Sequence, residues 1–274
     1  MKFSLVLATL NRDKEVEMFL SSLINQEYKN FEVIIVDQNK DGLIDDIINY
    51  YSKFLTINHV KSVVLGLSLN RNLGLESVRG DVIAFPDDDC EYPPNLLNDV
   101  YNKFLINKDV DILTGSTIDK ITKYSYLKSP SNSAFVTPYN VFKTAISFTI
   151  FIKTSISSLS YFDNKLGVGA PFGSSEETDY LVGFLNSGLI ICYYPEIIVF
   201  HPITNLNEST SRTYNYALGF GAFHRKHLRD HNCYYAFRFM FFIFINIIRV
   251  IILNEPTKNW NSLKGKLLGF IRYK

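Results

Sequence analysis

Cysteine is scarce in this chain of 274 residues, and Cys90, Cys192 and Cys233 stand far apart. Their spacing fits neither a disulfide framework nor a zinc site, so both classes of stapled domain are excluded and a reducing compartment is expected. The first residues are not expected to be a secretory leader: "MKFSLVLATLNRDKE" is too short in its apolar run and too soon charged, and it reads as a first strand. The expected location is therefore cytoplasmic. Internal repeats and low-complexity tracts are missing as well. So is an uninterrupted apolar run of membrane-spanning length, because "YYAFRFMFFIFINIIRVIIL" is broken by Arg238, Asn246 and Arg249.

Net charge is nearly absent too, at +1, but this balance hides an asymmetry. From Arg212 to Lys274 there are 11 Lys+Arg against 2 Asp+Glu, or +9; the remainder carries 17 against 25, or −8. A basic tail on an acidic body suggests a surface that meets anionic lipid, and the apolar runs in the tail argue against nucleic acid. An ordinary basic helical face is the alternative. Around 100° per residue, the three polar positions of the apolar helix share an arc of about 80°. They predict a helix lying in a membrane interface with that strip turned outward. The same helix could instead pack on the body or pair with a second copy, so a homo-oligomer is compatible with it. His224, His227 and His231 fall near helical spacing, but Arg225, Lys226 and Arg229 crowd the same turns and predict a solvated basic face.

What is present is a regular alternation of two periods. "FSLVLAT", "FEVIIVD", "HVKSVVL", "DVIAF" and "DILTGST" read as strands. Helical spacing fills the gaps, beginning with Val16, Phe19, Leu20, Leu23 and Ile24 behind the cap candidates Asn11 and Asp13. Strands and helices in alternation predict a parallel β-α-β sheet with helices on both faces. Ligands of such sheets bind at the carboxyl edge, and Thr9, Asp37 and Asp87 all sit at strand ends. The middle, Ile121–Ser160, offers one strand in "AISFTIFI". A glycine–serine loop then leads into a helix closed by Gly188, and "LIICYYPEIIVFHP" reads as two strands broken at Pro195.

In "GDVIAFPDDDCEYPP" an apolar strand runs into three aspartates. Adjacent carboxylates near an apolar interior cost several kcal/mol unless a positive group joins them, so a bound divalent cation or a solvated turn is required. Asp87 and Asp89, one residue apart, can point the same way, with Asp88 facing the other side. Cys90 beside them should be a blunted thiol. At the loop-to-helix junction, Glu176, Glu177 and Asp179 suit a helix N-terminus electrostatically, and a glutamate there can also serve as general base. Asp179 reads as a capping or structural acid. His201, after "EIIVF", is either a satisfied buried histidine or a neutral imidazole ligand.

The order "ATLNR … SLINQEYKNFEVIIVDQ … LSLNRNLGLESVRGDVIAFPDDDCEYPP … GSSEETDYL … HP" resembles the family-2 glycosyltransferases of the GT-A fold, over roughly Lys2 to Pro202. The resemblance implies an α/β, Rossmann-like, mostly parallel sheet flanked by helices. It implies a GT-A catalytic domain at 1–205, with a nucleotide-binding half (1–117) and an acceptor-binding half (118–205). Residues 206–274 then form a helical, amphipathic, membrane-associating appendage. Asp37 would contact the nucleobase, in a nucleotide pocket that includes Thr9, Asn11, Arg12, Arg71, Asp87 and Asp88. Asp89, with Asp87 and His201, would hold Mn2+ or Mg2+, and Glu177 or its neighbour Glu176 would be the catalytic base. Two departures stand out: Gln38 follows Asp37 where the family commonly has a second acid, and Glu176–Glu177 replaces the more usual Glu-Asp.

The implied reaction is an inverting sugar transfer from a nucleotide-diphosphate sugar, a UDP-sugar by expectation, to a glycan hydroxyl. In bacterial cell-surface polysaccharide or O-antigen synthesis the acceptor would ride on polyprenyl diphosphate at the inner face of the membrane. Two other readings compete. A sugar-phosphate nucleotidyltransferase should carry a glycine-rich basic loop after its first strand, and "ATLNRDKE" has no glycine. A non-catalytic nucleotide-binding membrane scaffold would have no need of Asp87, Asp89 and Glu177 together.

Overall fold

Strands β1 (Phe3–Thr9) and β2 (Phe31–Asp37) are buried at every position, as near-continuous apolar runs covered on both faces must be. The computed structural model describes all residues except 126–128, 157–159, 204–209 and 253–255, and the expected boundary at 205/206 falls outside the described residues. β1 runs parallel to β2 on one side and to β4 (Val82–Ala84) on the other, and β2 is parallel to β3 (Ile57–Lys61). Helices α1 (Asp13–Ile24), α2 (Asp45–Tyr51) and α3 (Leu67–Leu75) connect them, and α4 (Leu96–Ile106) leads into β5 (Ile112–Ile118). In α1, Val16, Phe19, Leu20 and Leu23 are buried, which is the stripe their spacing dictates. Its cap position is Arg12, without a side-chain capping bond, rather than Asn11 or Asp13.

Beyond β5 the sheet is no longer purely parallel. β7 (Phe151–Lys153) is inserted antiparallel between β4 and β5, and β6 (Ala134–Phe135) pairs antiparallel with β8 (Ile191–Phe200). The order is β3-β2-β1-β4-β7-β5-β8-β6. "AISFTIFI" thus supplies less strand than expected, because Ser147–Thr149 forms a 3₁₀ turn before Phe151. The third strand ends at Lys61, and the expected continuation through Val63, Val64 and Leu65 is exposed.

Pro195 does not break β8. The strand is continuous but bulged against β5, where the register jumps from Thr114↔Tyr193 to Ser116↔Ile198. A bulge tolerates a residue without an N–H, and Ser116 Oγ donates to the Pro195 carbonyl at 2.7 Å. The facing residue is Gly115, where a Cβ would lie 2.2 Å from the Ile197 carbonyl oxygen. The remaining helices are α5 (Glu176–Asn186), α6 (Thr210–Lys226), α7 (Asp230–Ile252) and α8 (Pro256–Arg272).

The chain divides into two compact units. The first comprises Met1–Leu65, Leu69–Tyr161 and Tyr180–Ile203, and holds the sheet. Its core gathers Leu5, Leu7, Phe19, Leu97, Phe104 and Phe151, among others. The second comprises Gly66–Ser68, Phe162–Asp179 and Thr204–Lys274.

In the second unit α7 buries Tyr235, Phe239 and Asn246, while Phe237, Met240, Phe241, Phe244, Ile247 and Ile251 are exposed. Of the polar strip, Asn246 faces protein, Arg238 is half-buried and Arg249 is exposed: Asn246 Nδ2 donates to Ser262 Oγ and its Oδ1 accepts from Lys266 Nζ, both at 2.9 Å. Counted through its arginines, Cys233–Ile252 is long and apolar enough to cross a membrane by length and composition, a property it shares with core helices of soluble proteins. His224 and His227 are likewise buried, contrary to the solvated basic face expected of them. Phe223 and Tyr235 pack around them, and only the intervening Arg225 and Lys226 reach water.

Candidate active site

Parallel pairing brings the strand ends together. Thr9 and Asp37 are register partners at the carboxyl ends of β1 and β2, and Lys61 stands opposite Asp37 on β3. Asp37 is fully buried. Its Oδ1 accepts from the backbone N–H and Nδ2 of Asn39, both at 2.8 Å. Its Oδ2 accepts from Lys61 Nζ at 2.8 Å and lies 3.0 Å from His59 Nε2. Burial opposes ionisation, but these bonds, that of Lys61 foremost, hold the carboxyl below its usual range. Asp37, Asp45 and His59 could in principle gather a cation; here the Lys61 ammonium bonds both carboxylates instead. His59, Lys61 and Asn39 escaped the sequence reading. The register of β3 was the signal that could have found Lys61. Asn11, at φ +56, donates its N–H to Asn39 Oδ1 at 2.7 Å and closes the loop over this corner.

Past β4 the chain turns through Pro86 into the three aspartates, and their carboxylates diverge to three different partners. Arg71, with no side-chain exposure, donates from Nη2 to Asp87 Oδ1 at 2.7 Å, while Asp87 keeps 28%. Asp88 Oδ2 accepts from Thr9 Oγ1 at 2.9 Å, which links the cluster to the end of β1. Asp89 Oδ2 accepts from Arg12 Nη1 at 3.3 Å, and Oδ1 lies 3.1 Å from His201 Nε2.

Their protonation differs accordingly. Burial raises Asp87 despite the Arg71 charge, and burial lifts Asp88 to about 6 against the Thr9 bond. Burial also works against ionisation of Asp89, but His201 and Arg12 hold it below the usual range. Cys90 is buried, and burial with the Asp87 charge pushes its thiol well up, as expected of an inert cysteine.

His201 lies just past β8 with its ring stacked on Phe148, centroids 4.8 Å apart. Its Nδ1 sits 2.8 Å from the Pro202 carbonyl. An N–H there orients the ring, so that a protonated Nε2 donates to Asp89 and, once deprotonated, would offer its lone pair to a cation held with the aspartates, the usual outer support of a histidine ligand. Burial disfavours the charged ring, but Asp89 raises its pKa overall.

The ligand atoms of Asp87, Asp89 and His201 all lie within 4.8 Å of one another. Two carboxylates and an imidazole suit a divalent cation such as Mn2+ or Mg2+, and the two arginines on the carboxylates show that the site demands positive charge. Thr9, Arg12, Arg71, Asp87, Asp88, Asp89 and His201 are thus joined by contacts within the first unit. Asp37 joins them through its pairing with Thr9.

Glu176 and Glu177 open α5 and belong to the second unit. Glu176 is buried against Gly167, where φ is +102 and a Cβ would sit 3.2 Å from Glu176 Cδ. Glu177 is half-buried. Two residues on, Asp179 accepts from Lys226 Nζ and lies against His227 Nε2, both at 2.8 Å. Lys226 also bonds Asp163 at 2.9 Å, and Tyr273 OH donates to that same carboxylate at 2.5 Å. Asp179 is therefore a structural acid, held by groups the sequence places some fifty residues away.

Residues 4–162, more than half of the chain, match the sequence profile described as Glycosyl transferase family 2. The chain belongs to that family. Among its curated relatives is the Campylobacter jejuni GalNAc(5)-diNAcBac-PP-undecaprenol beta-1,3-glucosyltransferase. It is 25% identical over 169 residues, which cover 53% of this chain and 52% of that protein. The Staphylococcus aureus poly(ribitol-phosphate) beta-N-acetylglucosaminyltransferase TarP is 29% identical over 105 residues, 37% of this chain and 32% of that one. The match thus spans about half or less of these relatives' lengths.

Among solved structures, S. aureus TarS in complex with UDP-GlcNAc superposes with a TM-score of 0.69 at 18% identity, covering 98% of this chain and 82% of that chain. The Pyrobaculum calidifontis mannosyltransferase PcManGT, in complex with GDP-Man and Mn2+, gives 0.66 at 14%, covering 99% and 86%. Both likenesses show the fold: this family 2 chain has the GT-A architecture, with an eight-stranded mixed sheet flanked by helices.

Proposed function

We propose that this family 2 chain is an inverting, metal-dependent glycosyltransferase that moves a sugar from a UDP-sugar to a hydroxyl of a glycan acceptor. The observation that carries the reading is the convergence of Asp87, Asp89 and His201 at the carboxyl edge of the sheet in a chain of this family. Asp89 and His201, with Asp87, would hold Mn2+ or Mg2+, which when bound neutralises charge on a diphosphate leaving group. Thr9, Asn11, Arg12, Asp37, Arg71 and Asp88 would line the nucleotide pocket.

In the transfer, the acceptor oxygen bonds to the anomeric carbon from the face opposite the nucleotide as the bond from that carbon to the diphosphate oxygen breaks. The acceptor proton passes to Glu177, and the nucleoside diphosphate departs with the bonding electrons. Glu177 is preferred to Glu176 because Glu176 is buried against Gly167, whereas Glu177 retains exposure. The C. jejuni relative is named for an undecaprenol-diphosphate acceptor. With the basic tail and the exposed apolar face of α7, this supports a lipid-linked acceptor met at the inner membrane surface.

Product NMR with a sugar nucleotide of known anomeric configuration tests the stereochemistry, and retention would remove Glu177 from its role. Glu177→Gln should keep donor binding while turnover collapses. Asp89→Asn should weaken metal-dependent nucleotide binding. Equal behaviour of the two variants in a UDP titration with Mn2+ would refute this division of roles.

A further inference from the structure

The second unit concentrates positive charge beneath an apolar surface. Arg238 on α7 and Lys266 on α8 flank the same two rings. The Arg238 guanidinium lies 5.3 Å from the Phe220 centroid and 4.8 Å from that of Phe242, and Lys266 Nζ lies 4.9 Å and 5.6 Å from them. Both cations are half-buried and engage neutral partners: Arg238 Nη1 bonds His224 Nε2 and Lys266 Nζ bonds Asn246 Oδ1, each at 2.9 Å. Arg249 follows Asn246 by three residues, on the same side of α7, and is exposed.

Gathering three cations costs free energy by mutual repulsion. That cost is visible at Lys266, whose pKa burial and the charges of Arg249 and Arg238 push down to about 8. Anions bound beside them would relieve it. At roughly 100° per residue, Arg238 and Arg249 fall about 60° to 80° around α7 from Phe241. Phe241 belongs to the exposed face formed with Phe237, Met240, Phe244, Ile247 and Ile251. Cations bordering an apolar stripe of aromatics and aliphatics are the pattern of a helix that lies in a lipid headgroup layer.

We propose that the Arg238–Lys266 pair, and Arg249 about 16 Å further along α7, contact the phosphates of anionic phospholipid headgroups, with the apolar face of α7 seated beside them among the upper acyl segments. Charge complementarity commits the surface to this occupant: the segment from Arg212 onward carries +9, and a second copy would bring the same charge against it. The site deepens the membrane-surface reading and rests on it.

The test is cosedimentation of the full chain with vesicles of phosphatidylcholine alone or with added phosphatidylglycerol, read as a partition coefficient. Each cation near an anionic surface changes partitioning about fivefold, so Arg249→Gln should weaken binding to the anionic vesicles about fivefold and Arg249→Glu roughly thirtyfold. Lys266→Gln should act as Arg249→Gln does, and added salt should erase the differences. Protection from thermal unfolding by UDP with Mn2+ must be unchanged in each variant, which certifies the fold.

Binding to anionic vesicles that is indifferent to both substitutions overturns the site and leaves membrane attachment standing. Failure of the unaltered chain to bind any vesicle overturns both. Equal partitioning onto phosphatidylcholine alone, or a concentration-dependent dimer that vesicles do not dissociate, assigns the apolar face elsewhere and also refutes the proposal.

Discussion

Replacing Arg71 with methionine tests whether charge pairing holds the aspartate turn. Arg71 has no side-chain exposure and meets Asp87 at 2.7 Å. At an effective dielectric of about 20, charges that close attract by roughly 6 kcal/mol, much of which offsets their desolvation. Methionine keeps an apolar stem beside the Phe85 ring, over which the guanidinium lies at 6.0 Å, and strands the Asp87 carboxylate. That carboxylate can escape by protonation, which sets a ceiling on the penalty. Because burial already holds Asp87 above the ordinary 3.8 in the parent, neutralisation costs less than about 4 kcal/mol at pH 7 and less than about 2 kcal/mol at pH 5. The folded variant binds this proton more tightly than its unfolded chain, so its stability relative to the parent rises as pH falls. Urea unfolding should show a loss of at most about 4 kcal/mol at pH 7 that falls below about 2 kcal/mol at pH 5. Adding Asp87→Asn should recover most of the loss at pH 7 and remove its pH dependence. A loss independent of pH, or a double variant as unstable as the single one, would refute the reasoning.

Gly115→Ala should cost about 2 to 3 kcal/mol in the same assay, because the new Cβ meets the Ile197 carbonyl oxygen at 2.2 Å and the bulge of β8 must shift; a neutral outcome would mean the bulge is pliable. Glu32, buried in the first unit, accepts from Ser4 Oγ at 2.6 Å, from the Arg79 N–H at 3.0 Å and from Lys2. Burial opposes its ionisation, but Lys2 and Ser4 hold it below the ordinary 4.5. Its contribution is therefore present above that value and lost as pH falls below it. Glu32→Gln should cost about 1 to 3 kcal/mol at pH 7, with the gap to the parent closing under acid in a circular-dichroism titration. Asp179→Asn removes the carboxylate shared by Lys226 and His227, and should lower stability by about 2 to 3 kcal/mol in thermal unfolding, with Lys226 exposure reducing the full buried-pair value. A change below about 1 kcal/mol would show the network to be dispensable.

The half of the fold from β1 to α4 was legible because its strands are buried on both faces and its helices on one. Continuous and periodic apolar patterns then report burial directly, as Phe3–Thr9, Phe31–Asp37 and Val16–Leu23 do. The aspartate turn was legible for a different reason: three adjacent charges at the end of a buried strand demand partners whatever the fold. Which partners they have was not legible, since Arg71, Arg12, Thr9 and His201 are brought there by register and chain crossing. Lys61 was hidden in the same way, because a lysine near the end of a weak strand is unremarkable until its position opposite Asp37 is known. Pro195 misled because a proline rule written for regular ladders does not apply in a bulge that Gly115 makes room for.

The second unit shows a deeper limit. Helical periodicity locates a polar arc and an apolar arc on α7, but it carries no sign: either arc can face the protein. For Arg238 and Asn246 the sign is set by other elements, through His224 on α6 and through Ser262 and Lys266 on α8, none of which α7's own sequence reveals. Once those bonds turn the polar arc inward, the apolar arc is left facing outward, and the exposure of Phe237, Phe241 and Phe244 follows from geometry alone. The same inversion accounts for His224, whose pKa burial lowers to about 3 so that its Nε2 serves Arg238 as an acceptor. A buried neutral histidine that accepts from a cation is therefore part of what fixes which face of α7 is outermost. Replacing it would test the orientation of the helix before it tested any chemistry.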